Sequence, residues 1–98
     1  MYIITLSLTE QKSKAPDFMA AHNAWIAKGF EDGVFALVGG LKPQGGGAIV
    51  TTDVDRATIE ARIAEDPFVV EGIVTADIQE VAPARTDARL DFLKGAVA

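Results

Sequence analysis

Two periodicities alternate along this chain, and their order leaves very few folds open to it. From Met1 to Leu8 the repeat is two: Tyr2, Ile4, Leu6 and Leu8 share one face, and Met1, Ile3, Thr5 and Ser7 share the other. That second face is half apolar, so it too is expected to be covered. From Pro16 to Phe30 the repeat becomes helical, with Pro16 suited to a first turn and Asp17 placing negative charge near the N-terminus. Gly29 and Gly33 are both plausible stops. Val34 to Gly40 returns to a strand, apolar on both faces, followed by turn chemistry at Pro43 and Gly45 to Gly47. Ala48 to Thr52 is predicted to pair with it as a hairpin.

The second half repeats the alternation. Asp53 or Asp55 can cap a helix over Arg56 to Ala64, with Ile59 and Ile63 facing inward. Asp66-Pro67 opens a short turn through Val70, closed by Gly72, and Ile73 to Val81 reads as a last strand. Ala82-Pro83-Ala84 breaks it, and Thr86 can cap a C-terminal helix bearing Leu90 and Leu93. The order β-α-β-β-α-β predicts an α+β, ferredoxin-like domain: four antiparallel strands with both helices on one face. One domain over 1–98 is expected, with its core in 1–82 and a helical tail in 83–98. The uncovered sheet face would carry Ile3, Thr5, Val50 or Ile49, and Thr75. One small chain has no further layer to cover it, so a second copy is the economical cover and a homodimer is expected.

Composition excludes several partners. The formal charge is −5, and the nine Lys and Arg are scattered, forming no basic stripe for nucleic acid or an anionic membrane. No apolar run approaches the roughly 18 residues that span a bilayer, and no basic segment precedes the first apolar run as in a signal peptide. With zero cysteines there is no disulfide or thiolate chemistry. A cytoplasmic location is the expectation.

The one histidine carries most of the functional signal. Phe18, Met19, Trp25 and Ile26 stand at i−4, i−3, i+3 and i+4 from His22, which places it on a face turned toward the sheet. A ring with two nitrogens needs polar partners there. It is either a core-edge histidine bonded to a carbonyl, a general acid or base tuned by a carboxylate, or a metal ligand. The last needs convergent donors, and no His-x-x-x-His or Glu-x-x-His spacing supplies them. Asp66 before Pro67 is explained by helix capping alone. Capping leaves pairing with His22 open, since one carboxylate oxygen can take the helix N–H while the other faces the ring. The Gly45-Gly46-Gly47 run lacks the ending of a phosphate-binding loop and precedes a strand, so it reads as a hairpin loop that can border a pocket. Trp25 and Phe68 fit a core as well as a ligand contact. Asp77 and Gln79 fit a dimer interface or a pocket.

In their order and spacing, several short pieces resemble the YCII-related (YciI-like) proteins over Met1 to Ala82. They are Ala21-His22 in a helix, Gly33-Val34-Phe35 leading to Val38-Gly39-Gly40, Gly47-Ala48-Ile49-Val50, Glu65-Asp66-Pro67-Phe68 and Gly72-Ile73-Val74. The resemblance implies a ferredoxin-like fold pairing as a dimeric α/β barrel, with a histidine and an aspartate paired beside a pocket; the matching positions are His22 and Asp66. Relatives act without cofactor on small aromatic or lactone-like compounds, including dehydrochlorination of a chlorinated hydroxyquinol, and the wider superfamily holds isomerases and monooxygenases. The tail from Thr86 to Lys94 lies outside the resemblance.

Two readings follow. In the first, the chain is a cofactor-independent lyase or isomerase acting on a small organic molecule. His22 moves a proton, Asp66 fixes its tautomer, and N–H groups at Gly46 and Gly47 polarise an oxygen. Trp25 and Phe68 contact the substrate, and no metal, flavin or nicotinamide is called for. In the second, the chain is a non-catalytic small-ligand binder or structural homodimer, and the His–Asp pair is a buried hydrogen bond.

Overall fold

The computed structural model describes residues 1–95; the last three residues of the expected tail lie outside the described residues. Its elements are β1 (Tyr2–Leu8), a 3₁₀ turn (Lys12–Lys14), α1 (Ala15–Glu31), β2 (Phe35–Gly40), β3 (Gly47–Thr51), α2 (Arg56–Ala64), α3 (Pro67–Val70), β4 (Val74–Glu80) and a 3₁₀ segment (Ala88–Lys94). The strands form one antiparallel sheet in the order β2-β3-β1-β4. This is the predicted βαββαβ arrangement.

β1 is central because it pairs on both edges, with Ile4 opposite Ile49 on one side and Ile78 on the other. Its period-2 pattern sends Tyr2, Ile4 and Leu6 into the core, where Ile59, Ile63 and Ile73 also lie buried. Full burial of one such side chain contributes about 1.5–3 kcal/mol. Ile49 belongs to this inner face. Val50, opposite Ile3, belongs to the other, which settles which residue of β3 points outward.

β2 owes its two apolar faces to a bulge. Strict alternation would put Phe35 and Leu37 on the same side. An irregularity between them pairs Phe35 with Thr51 and Leu37 with Val50, so Phe35 is buried while Leu37 is 55% exposed. Leu37, Val50, Ile3 and Gln79 make one row of the outer face; Gly39, Ala48, Thr5 and Asp77 make the next. Asp77 and Gln79 are therefore outer-face residues.

Two open alternatives are resolved and one expectation is corrected. Gly29 does not stop α1: it is buried within the helix, and a Cβ there would overlap the Phe35 ring. Gly33, at φ +73°, follows the helix instead. Asp55 caps α2, accepting the Thr58 N–H at 2.8 Å. The tail is a 3₁₀ segment capped by Asp87, not Thr86, whose hydroxyl donates to Asp91 Oδ1 at 2.6 Å. Leu93 is buried, and Leu90 and Phe92 are exposed.

Two contacts hold the helices together behind the sheet. Trp25 Nε1 donates to the Arg62 carbonyl at 3.0 Å, joining α1 to α2. The Arg62 guanidinium reaches Asp32 Oδ2 at 2.8 Å. Hydrogen bonds from Arg62, then Lys28, hold the Asp32 carboxyl below the usual carboxylate range. No helix among the described residues is long and apolar enough to cross a membrane.

Candidate active site

α1 passes over α3, and this crossing brings together side chains 44 positions apart. His22 Nδ1 lies 2.7 Å from Asp66 Oδ1. The Asp66 side chain is fully buried and the His22 side chain is 11% exposed. An ionised carboxylate can only accept, so Nδ1 carries the proton and donates it. In the neutral ring Nε2 is then an unprotonated acceptor, and it has no hydrogen-bond partner among the described residues.

Asp66 holds its partner differently from the sequence expectation. The Phe68 N–H, the capping bond of α3, also goes to Oδ1, at 3.0 Å. Both donors therefore share one oxygen, and Oδ2 is buried with no hydrogen-bond partner among the described residues. The capping geometry of a single-turn helix explains this: Asp-Pro-Phe fixes the carboxylate over its own N–H, and His22 arrives on the same side.

Aromatic contacts fix the ring plane. Phe68 lies parallel to the imidazole, with centroids 3.9 Å apart at an angle of 3°. Trp25 stacks less closely, at 5.8 Å and 25°. Each such contact is worth about 0.5–1.5 kcal/mol beyond burial. The ring is thus held by one hydrogen bond and two aromatic faces.

His22 and Phe68 border a cavity of about 340 Å³ between α1, the sheet and the β2–β3 hairpin. That is at the small end of roughly 300–1,000 Å³ for ligand sites. Leu6, Val38 and Ile49 contribute apolar wall, and among the described residues no Asp, Glu, Lys or Arg takes part. Gly46 and Gly47 line the hairpin side, which the hairpin-loop reading left open. Gly46 sits at φ +82°, and a Cβ there would overlap the Leu6 carbonyl oxygen. A glycine is needed on both counts. The Gly46 carbonyl accepts from Leu41 N–H at 3.0 Å, whereas its own N–H has no partner among the described residues. Trp25 is not in the cavity wall; it stands behind His22, 8% exposed, in the core.

Helical spacing gave α1 a single apolar face. The structure divides it in two, with His22 at the seam. Phe18, Trp25 and Gly29 turn to the core, Met19 and Asn23 line the cavity, and Ala15 and Ile26 do both. Asn23 was missed because it is polar and one residue off the stripe through His22. Its position four after Met19 and three before Ile26 is the signal that finds it. Among the described residues, no three His, Cys, Asp or Glu converge as a metal-ligand set.

No family model matches the sequence, and no curated protein matches it. In three dimensions the chain is similar to the 5-chloro-2-hydroxyhydroquinone dehydrochlorinase of Burkholderia phenoliruptrix, solved in complex with 2,5-dihydroxybenzoquinone. The TM-score is 0.69 over 82% of this chain and 91% of that one, at 14% identity. At that identity the likeness establishes a shared fold.

Proposed function

We propose that this chain is a cofactor-independent enzyme of the YCII-related kind, a lyase or isomerase that moves a proton on a small aromatic or lactone-like molecule. One observation carries the reading. His22 is tied through Nδ1 to a buried carboxylate at 2.7 Å, while its ring borders an uncharged cavity. A buried structural pair alone needs no cavity beside it.

In this reading Nε2 removes a proton from a ring hydroxyl or an activated C–H. The Asp66 carboxylate stabilises the imidazolium that forms. The electron pair left behind moves through the conjugated system. It either expels a leaving group, such as chloride, or is reprotonated at another carbon from the imidazolium. Both routes balance without an oxidant. The Gly46 N–H is the donor available to a developing oxyanion. Phe68 orients the base and forms part of the wall; Trp25 acts from behind it. The dehydrochlorinase likeness favours the elimination branch.

The active form in this reading is a cytoplasmic homodimer. The outer sheet face, with Leu37 55% exposed beside Val50 and Ile3, supports pairing of two sheets.

The test is a screen of chlorinated hydroquinones for chloride release and of unsaturated lactones for isomerisation. His22→Ala is expected to lower the rate on any substrate found by about 10²–10⁴-fold. Full activity in that variant would end the proposal.

A further inference from the structure

We infer that Asn23 is the specificity-determining residue of the cavity, hydrogen-bonding a second oxygen of an uncharged, ring-sized ligand whose first oxygen meets His22. The inference rests on the reading of the cavity as a substrate site.

Among the described residues that line the cavity, only His22 and Asn23 have side chains containing nitrogen or oxygen. All the others are aliphatic, aromatic, methionine or glycine. The other nitrogen-bearing side chains of α1 that make polar contacts do so within the fold: Trp25 to Arg62 and Lys28 to Asp32. Asn23 is an exposed residue of α1 that lines the cavity and makes no side-chain hydrogen bond among the described residues, so its amide is available to a ligand there. An amide offers both a donor and an acceptor. It therefore suits a hydroxyl or a carbonyl equally, and it does not demand a charge.

The wall excludes the other common classes. Among the described residues of the wall, a carboxylate or phosphate would find no Lys or Arg to offset its desolvation, and an amine would find no Asp or Glu. What remains is a neutral ring carrying at least two oxygens, such as a dihydroxybenzene or a hydroxyquinone in its neutral form. Because consecutive helix residues diverge by about 100°, His22 and Asn23 reach different positions of that ring. The pair thus selects for where the oxygens lie as well as for their number.

The experiment measures binding of phenol, catechol and hydroquinone to the parent, to Asn23→Ala and to His22→Ala. NMR follows the His22 ring and Trp25 indole signals; for His22→Ala only the indole is read. Alanine is a better helix former than asparagine, so Asn23→Ala does not weaken α1. The parent should prefer at least one dihydroxybenzene over phenol. Asn23→Ala should weaken that ligand by roughly three- to tenfold, the loss of one neutral hydrogen bond, while phenol stays within about twofold. His22→Ala should weaken all three. If the parent binds them at the His22 ring and Asn23→Ala keeps the same preference, the role of Asn23 is overturned and the cavity reading stands. If none of the three disturbs the ring in the parent, the cavity reading fails and this inference with it.

Discussion

Asp66→Asn separates a catalytic pair from a structural one, because the geometry gives the two roles different magnitudes. The Asp66 side chain is fully buried and accepts two hydrogen bonds at Oδ1, from His22 at 2.7 Å and from the Phe68 N–H at 3.0 Å. Asparagine has the same shape. If its amide oxygen takes the Oδ1 position, both bonds survive as neutral ones, and the NH₂ falls where Oδ2 already lacks a partner. If it flips, the NH₂ faces Nδ1 and forces the imidazole proton onto Nε2, and the Phe68 N–H loses its acceptor. A hydrogen bond to a charged group is worth about 1.5–3 kcal/mol and a neutral one about 0.5–1.5. Because the unpaired Oδ2 charge is also removed, the net stability loss should be about 1–3 kcal/mol. A domain stable by about 5–15 kcal/mol remains folded after that loss.

The catalytic loss should be larger. Without the carboxylate the imidazolium is unsupported, and in the flipped form Nε2 is no longer a base. A fall of about 10²–10⁴ in kcat/KM is expected, equivalent to about 3–5 kcal/mol. Urea unfolding, followed by the fluorescence of the single, core-packed Trp25, gives the first quantity. Turnover on a substrate from the screen gives the second, at concentrations where both proteins are folded. A variant that loses 2 kcal/mol or more of stability but keeps its rate within about threefold would refute the catalytic role and make the pair a structural bond.

Gly46→Ala should destabilise the protein by about 1–3 kcal/mol in a urea titration, because φ +82° disfavours a side chain and the new Cβ meets the Leu6 carbonyl; an unchanged midpoint would contradict the loop geometry. Leu37→Asp, on the outer sheet face, should shift the chain toward monomer in sedimentation velocity while leaving its circular dichroism spectrum intact. An unchanged sedimentation coefficient would place any dimer contact elsewhere. The folded-state pKa values of Asp32 and Asp55 are lowered, the first by hydrogen bonds from Arg62 and Lys28 and the second by hydrogen bonds from Thr58. Their contribution is therefore present above the unfolded carboxylate value of about 3.9 and is lost as pH falls through the lowered values. Asp32→Asn should be less stable than the parent at pH 7, the gap closing in thermal melts as pH falls through the lowered Asp32 value; a gap independent of pH would contradict this.

The sequence carried the architecture well, because alternating periods of two and about 3.6 mark each element; each strand and α1 begin and end within one residue of expectation. It failed where one residue breaks a period. The irregularity after Phe35 cannot be seen in a strand that is apolar throughout, so the sequence left open which residues of β2 and β3 face outward. The pairing of His22 with Asp66 was legible through the resemblance and through the need of a polar ring for a partner. The sharing of one oxygen was not, because it depends on how a four-residue helix orients its cap. Trp25 lies off the cavity wall and Asn23 on it for a related reason. Spacing ranks residues by hydrophobicity along one stripe, while the cavity is cut by a second stripe, offset from the first, that only the position of the hairpin reveals.

The tautomer of the chain's single imidazole tests the central claim most directly. In a long-range ¹H–¹⁵N correlation spectrum of the neutral ring, the account predicts a pyrrole-type, protonated Nδ1 and a pyridine-type Nε2. Catechol should shift the Nε2 resonance more than that of Nδ1. A ring protonated at Nε2, with Nδ1 bare, would mean that His22 offers the cavity a donor and Asp66 does not hold it as described, and the assignment of His22 as the base would fall.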